Sequence, residues 1–137
     1  MQVNKYTKSL MTRRSIVQIV YKNNYEKQSN IEDIYNDTEY LMILDKEMFD
    51  SIVLLIIEKW DSFYDEFKVY LRHEEDWFTA SLCAQSVLRS AYYEIISDKA
   101  NAQLIICDYL QVSKMFCYKE KNIINRILDK FYKSMLD

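Results

Sequence analysis

The sequence predicts an all-helical protein on three observations: apolar residues recur at three- and four-residue spacings nearly throughout, glycine and proline are both absent, and half of the 137 residues are hydrophobic. Glycine and proline supply most positive-φ turns and rigid breaks, so few hairpins can form without them. A chain of this length and composition can bury a real core, as one compact domain or as two small helical halves sharing it.

After a polar lead, Ile16, Val17, Ile19 and Val20 predict a short first helix beginning near Thr12, whose hydroxyl is placed to cap it. Ser29, Asn30 and Asp33 suit a turn, and a second helix is expected over 31–43 with Ile34, Tyr35, Leu41 and Met42 toward the core. The third helix is the longest and clearest: Phe49, Ile52, Val53, Ile56, Trp60, Phe63, Phe67, Tyr70 and Leu71 repeat over about six turns, with Asp50, Glu58, Asp61, Asp65 and Glu66 outward. His73 to Asp76 break that pattern and put acids at the start of a fourth helix, where the helix dipole favours them. The stripe of this fourth helix is Leu82, Val87, Leu88, Ala91, Tyr92 and Ile95.

Ser97 to Asn101 reads as a short connection, with Asn101 capping a fifth helix whose core side is Ile105, Ile106, Tyr109, Val112 and Phe116. The last helix starts near Lys121 and presents Ile124, Ile127, Leu128, Phe131 and Met135. No internal repeat or linker separates an N-terminal half (about 12–72) from a C-terminal half (about 76–136). The two, joined near His73, are expected to pack as a single domain over 1–137.

A Gly-rich phosphate loop, a dinucleotide fingerprint and a nucleophile elbow all need glycine, so the composition argues against an enzyme built on any of them. Cys83, Cys107 and Cys117 match no zinc spacing and His73 has no partner in sequence, so no metal or other cofactor is expected. No signal peptide opens the chain, and the longest apolar run, Ile52 to Ile57, falls far short of the roughly 20 residues of a membrane span. The expected setting is soluble, reducing and cytoplasmic.

The net charge of −3 conceals a segregation: residues 1–30 carry +5, residues 31–80 carry −10 and residues 81–137 carry +2. Helical surfaces carry such runs for solubility, but two basic ends around an acidic middle can also form one positive face for nucleic acid.

Four blocks stand in order, TRRSIVQIVY (12–21), SVLRSAYYEI (86–95), LIICDYLQVSKMF (104–116) and IINRILDKF (123–131), and together they resemble the NusB family. In TRRSIVQIVY (12–21), Arg13, Val17, Gln18 and Tyr21 look like that family's first helix; in SVLRSAYYEI (86–95), Val87, Leu88, Arg89, Tyr93 and Glu94 match its leucine-arginine and tyrosine-glutamate block. Lys114 and Phe116 close LIICDYLQVSKMF (104–116) as lysine-x-phenylalanine, and IINRILDKF (123–131) carries Asn125, Leu128, Asp129 and Lys130. A bland helical bundle supplies Leu and Tyr by periodicity, but has no reason to supply Gln18, Arg89, Glu94, Asn125 and Asp129 together. The sequence departs from the pattern at Leu10 and Met11, where basic residues are common, and at Ala84 in place of an acid. It departs again at Cys117 and Arg126 in place of glycines and at Ile123 in place of an aromatic.

The resemblance implies a NusB-like fold of two packed helical sub-bundles with about six or seven helices. It implies a non-enzymatic transcription antitermination factor that binds single-stranded boxA-type RNA of ribosomal RNA operons. The implied partners are the small-subunit ribosomal protein NusE and the transcription elongation complex. It maps the RNA surface onto Lys8, Arg13, Arg14, Gln18 and Tyr21, with Lys119, Lys121, Asn122 and Asn125 opposite. An alternative of another class is a protein-protein interaction module that kept the fold, lost the RNA and uses the acidic face of the third helix.

Overall fold

The computed structural model describes residues 5–27, 34, 45–71 and 80–136, and every regular element among them is helical. The helices are α1 (Lys5–Asn23), α2 (Lys46–Glu58), α3 (Phe63–Phe67), α4 (Leu82–Ser97), α5 (Ala102–Phe116) and α6 (Lys121–Ser134). Single 3-10 turns occupy Trp60–Ser62, Lys68–Tyr70, Lys99–Asn101 and Tyr118–Glu120. These turns let a glycine-free chain change direction, because tight right-handed turns need no positive φ, and no described residue has one. The all-α expectation holds. The second helix expected over 31–43 lies outside the described residues except for Ile34, which is helical and buried, and so do the turn at Ser29, Asn30 and Asp33 and the junction at His73 to Asp76.

α1 starts at Lys5, well before the expected Thr12. Thr12 is not a cap but a buried mid-helix residue: its hydroxyl donates to the Lys8 carbonyl (2.9 Å) and accepts the Asp45 backbone N–H (3.0 Å). Asp45 in turn caps α2 by accepting from Met48 N–H at 3.0 Å, so one hydroxyl on α1 positions the start of the next described helix. Thr12→Val keeps the shape but orphans the Asp45 amide, and is expected to cost about 1–2 kcal/mol. Urea unfolding with an unchanged m-value would show this; a midpoint equal to that of the parent would mean that the Asp45 amide is satisfied another way.

Two helices run through the middle. α1 packs against α2, α4 and α5, and is buried around most of its girth, at Thr12, Arg13, Ser15, Ile16, Val17, Ile19, Val20 and Asn23. α4 is buried without interruption from Ser86 to Ile95. Its serines satisfy themselves along the helix, Ser86 on Leu82 O and Ser90 on Ser86 O, both at 2.7 Å. α2, α5 and α6 lie around these two and are one-sided, as read from the sequence: Phe49, Ile52, Val53 and Ile56; Ile105, Tyr109 and Val112; Ile124, Ile127, Leu128 and Phe131. Leu82, Ile106 and Met135, expected in the core, are only partly buried. α1 packs as extensively on α4 and α5 as on α2, so it belongs to both sides of the bundle.

The long third helix is broken. After Glu58 the backbone leaves the α-helical path at Lys59 (φ −99°, ψ 19°). The Trp60 carbonyl is taken from α4 by Arg89 Nη1 at 2.7 Å, while the Lys59 carbonyl accepts from Ser62 N–H at 3.2 Å. A long-range donor thus replaces a helix hydrogen bond. The apolar stripe survives because 3-10 turns keep Trp60 and Tyr70 against the core. Phe63 and Phe67 stack at 4.9 Å, Phe67 meets Tyr92 at 5.4 Å, and Tyr92 meets Phe131 at 5.2 Å, one aromatic cluster joining α3, α4 and α6. Ser81 caps α4, accepting from Ala84 N–H at 3.0 Å. Asn101 does not cap α5 with its side chain, which donates instead to Asp98 Oδ2 at 2.9 Å.

Candidate nucleic-acid interface

Arg13 does not reach the surface. The side chain is 6 % exposed and forks onto two carboxylates: Nε and Nη2 to Glu94 (2.9 and 2.5 Å to Oε2), Nη1 to Asp108 Oδ2 (2.6 Å). The Tyr109 hydroxyl completes the cluster, donating to Glu94 Oε1 at 2.8 Å. Burial works against the Arg13 charge, but the hydrogen bonds and negative charge of Glu94, with Asp108, outweigh it and raise the pKa above its ordinary value. The expected RNA contact is therefore corrected to a structural tie of α1 to α4 and α5, because those helices hold acids where the guanidinium arrives.

Arg14, Gln18 and Tyr21 follow one another at i, i+4 and i+7 and so share one face of α1. The Arg14 guanidinium sits 5.8 Å from the centre of the Phe116 ring, at the end of α5. Below it, Val17, Gln18, Tyr21, Lys22, Tyr25, Cys83 and Phe116 line an open, mainly apolar groove of about 480 Å³. Tyr21 is 40 % exposed and packs edge-on to Tyr25, 5.5 Å between centres, with the two hydroxyls 3.3 Å apart. That hydroxyl contact raises the Tyr21 pKa above its ordinary value. Lys8 is exposed but lies about 120° around α1 from Arg14, on another face.

The turn between α5 and α6 follows Phe116 directly. It carries exposed Tyr118 and Lys119, and the Lys121 ammonium lies 3.3 Å from the centre of the Tyr118 ring. Glu120 fastens this turn to the start of α4, accepting from the Ser81 amide at 3.0 Å and from the Ser81 hydroxyl. Through Phe116, Cys117 and Tyr118 the basic turn is thus continuous in chain with the groove that Arg14 overlooks. Asn122 and Asn125 are exposed on α6, but neither is among the groove's described lining residues.

The sequence model of the NusB family matches residues 11–133. The chain belongs to the NusB family. No curated protein and no solved structure matches it. The family is a non-catalytic, antitermination-associated one, so membership supports a role related to transcription antitermination. Among the described residues no helix is long and apolar enough to cross a membrane, and no group of His, Cys, Asp and Glu is placed to hold a metal ion.

In this NusB-family chain the residues that sequence reasoning missed are the groove's far wall. Phe116 was expected in the core because it follows Val112 by four positions, yet as the last residue of α5 it is 37 % exposed. Tyr25 lies four positions beyond Tyr21, in the turn just past the end of α1, where a helical-face reading does not reach. Arg89, part of the family block, is no surface cation: it stacks on Trp60 at 3.7 Å and on Phe63 at 4.8 Å, and burial lowers its pKa to about 10.

Proposed function

We propose that this protein is a cytoplasmic transcription antitermination factor that binds boxA-type single-stranded RNA of ribosomal RNA operons. It does so with the small-subunit ribosomal protein NusE, on the transcription elongation complex. The observation that carries the reading is the α1 groove, where Arg14 and Lys22 flank an amide, Gln18, and three partly exposed rings, Tyr21, Tyr25 and Phe116. Unpaired RNA is held by that combination: rings stack on bases, an amide reads a base edge and cations neutralise phosphates. Lys119 and Lys121, with Asn122 and Asn125, extend the surface along the backbone of the transcript, and Lys8 serves only an RNA long enough to wrap α1.

With Arg13 engaged in the interior, about three or four cations remain for phosphates. On single strands that gives a log-log salt slope of only about −2 to −3. The protein is acidic overall, so a basic partner is needed for tight binding. The test is fluorescence anisotropy with a boxA-like RNA oligonucleotide, with and without the ribosomal protein. Tyr21→Ala or Phe116→Ala is expected to weaken binding by about 1–3 kcal/mol, roughly 5- to 150-fold, and Arg14→Ala to lower the salt slope by about 0.7. Unchanged affinity in these folded variants overturns the reading. An absence of RNA binding while partner association persists favours the protein-protein module built on the acidic α2–α3 surface.

A further inference from the structure

Beyond the groove, the turn from α5 to α6 presents an aromatic ring of its own. Tyr118 stands two positions after Phe116 and is 63 % exposed, while Cys117 between them is buried. Both rings therefore project outward from one short stretch of chain. Two residues span at most about 7 Å, roughly two phosphates of a stacked strand and fewer of an extended one. A nucleotide next to one held on Phe116 is within reach of Tyr118.

The ring is accompanied by cations. The Lys121 ammonium lies over it, 3.3 Å from its centre, and covers one face; the exposure of the residue leaves the other face to solvent. Lys119, between the ring and α6, is exposed as well. Glu120, the one acid of the turn Tyr118–Glu120, is engaged elsewhere: its oxygens accept from the Ser81 amide at 3.0 Å and from the Ser81 hydroxyl. That tie also fastens the turn to the start of α4. Ring and cations are thus held in place before any ligand arrives, which lowers the ordering cost of binding.

We propose that Tyr118 is a second base-stacking platform for the RNA, holding one unpaired nucleobase on its open face while Lys121 and Lys119 neutralise the adjoining phosphates. The inference rests on the functional reading above and adds a binding residue to it: the transcript leaves the α1 groove over Phe116, at the end of α5, and continues onto this turn. Every base has a π-face, so the platform takes any base and sets how much of the strand is bound rather than which sequence.

The test is fluorescence anisotropy of the full chain, with the ribosomal protein present, on a boxA-like RNA oligonucleotide and on copies with one abasic nucleotide at each position in turn. Tyr118→Ala is expected to weaken binding to the intact RNA by about 5- to 150-fold, the range of a lost base stack. Its urea midpoint stays that of the parent, because the ring is exposed. Tyr118→Phe binds like the parent, since stacking needs the ring and not the hydroxyl, and Lys121→Gln lowers the log-log salt slope by about 0.7. The deciding measurement is a cycle: one abasic position that weakens the parent has no further effect in Tyr118→Ala, and it lies within about two nucleotides of the position coupled in the same way to Phe116. If Tyr118→Ala binds like the parent while Tyr21→Ala is weakened, the platform is overturned and the groove stands. A weakened Tyr118→Ala in which every abasic position keeps its full effect also overturns it, because the ring then acts through the fold. A parent that binds none of these RNAs overturns the functional reading and the platform with it.

Discussion

Replacing Arg13 by alanine is expected to lower the unfolding free energy by about 3–5 kcal/mol. Among the described residues the guanidinium is the one cation bonded to both Glu94 and Asp108, which are 4 % and 8 % exposed, and its removal strands two carboxylates between α1, α4 and α5. Urea or thermal unfolding measures the loss; a decrease below about 1 kcal/mol would show that water reaches the site and solvates both acids. A loss of RNA binding in Arg13→Ala alone would be ambiguous, because an unfolded protein also fails to bind. The triple variant Arg13→Met, Glu94→Gln, Asp108→Asn resolves this. It removes all three charges at nearly constant volume, and replacement of a buried ionic cluster by neutral groups is often tolerated. We expect it to fold and to bind RNA like the parent; a folded triple variant with weakened RNA binding would return Arg13 to the binding surface.

Alkaline unfolding should be steep. Burial, as the leading cause, raises the pKa values of Tyr92, Tyr93 and Tyr109, helped at Tyr93 by its bond to Glu66 (2.7 Å) and at Tyr109 by Glu94. A tyrosine whose folded pKa exceeds its unfolded value near 10 contributes stability that is complete below pH 10 and is lost as pH rises toward the folded value. Above pH 10 the unfolded chain sheds these protons and the folded one keeps them, which removes about 1.4 kcal/mol per pH unit for each ring. Arg89 acts in the opposite sense: with its pKa lowered to about 10, the folded state releases a proton that the unfolded chain retains. The three rings outnumber the one guanidinium, so stability falls as pH rises above 10. Circular dichroism and phenolate absorbance should therefore change together in one cooperative transition above pH 10. Ionisation of all twelve tyrosines as a smooth curve with the helices intact would contradict the buried network.

The resemblance and the structure divide the molecule differently. Glu94 and Arg13 were both picked out as family positions, one in the α4 block and one in the first helix, but the sequence separation of 81 residues hid that they bond to each other. Adjacent arginines looked like one basic surface. Helical rotation of about 100° per residue instead sends Arg13 into the core and Arg14 to the groove. The extent of α1 was misjudged for a related reason. A helix buried on nearly all sides has no clean apolar stripe, and its N-terminal half carries Thr7, Lys8, Ser9 and Thr12, whose polar atoms are not diagnostic of coil. The break after Glu58 was equally hidden, since it depends on Arg89 donating to the Trp60 carbonyl from a helix roughly thirty residues away.

By itself the sequence determined the helical class, the apolar faces of α2, α5 and α6, and the family. These follow from local spacing, and spacing survives in one dimension. Only the tertiary structure decided which cations reach solvent and which rings line the groove. Each of those depends on what another helix presents at the point of contact, and a partner distant in sequence leaves no periodicity behind.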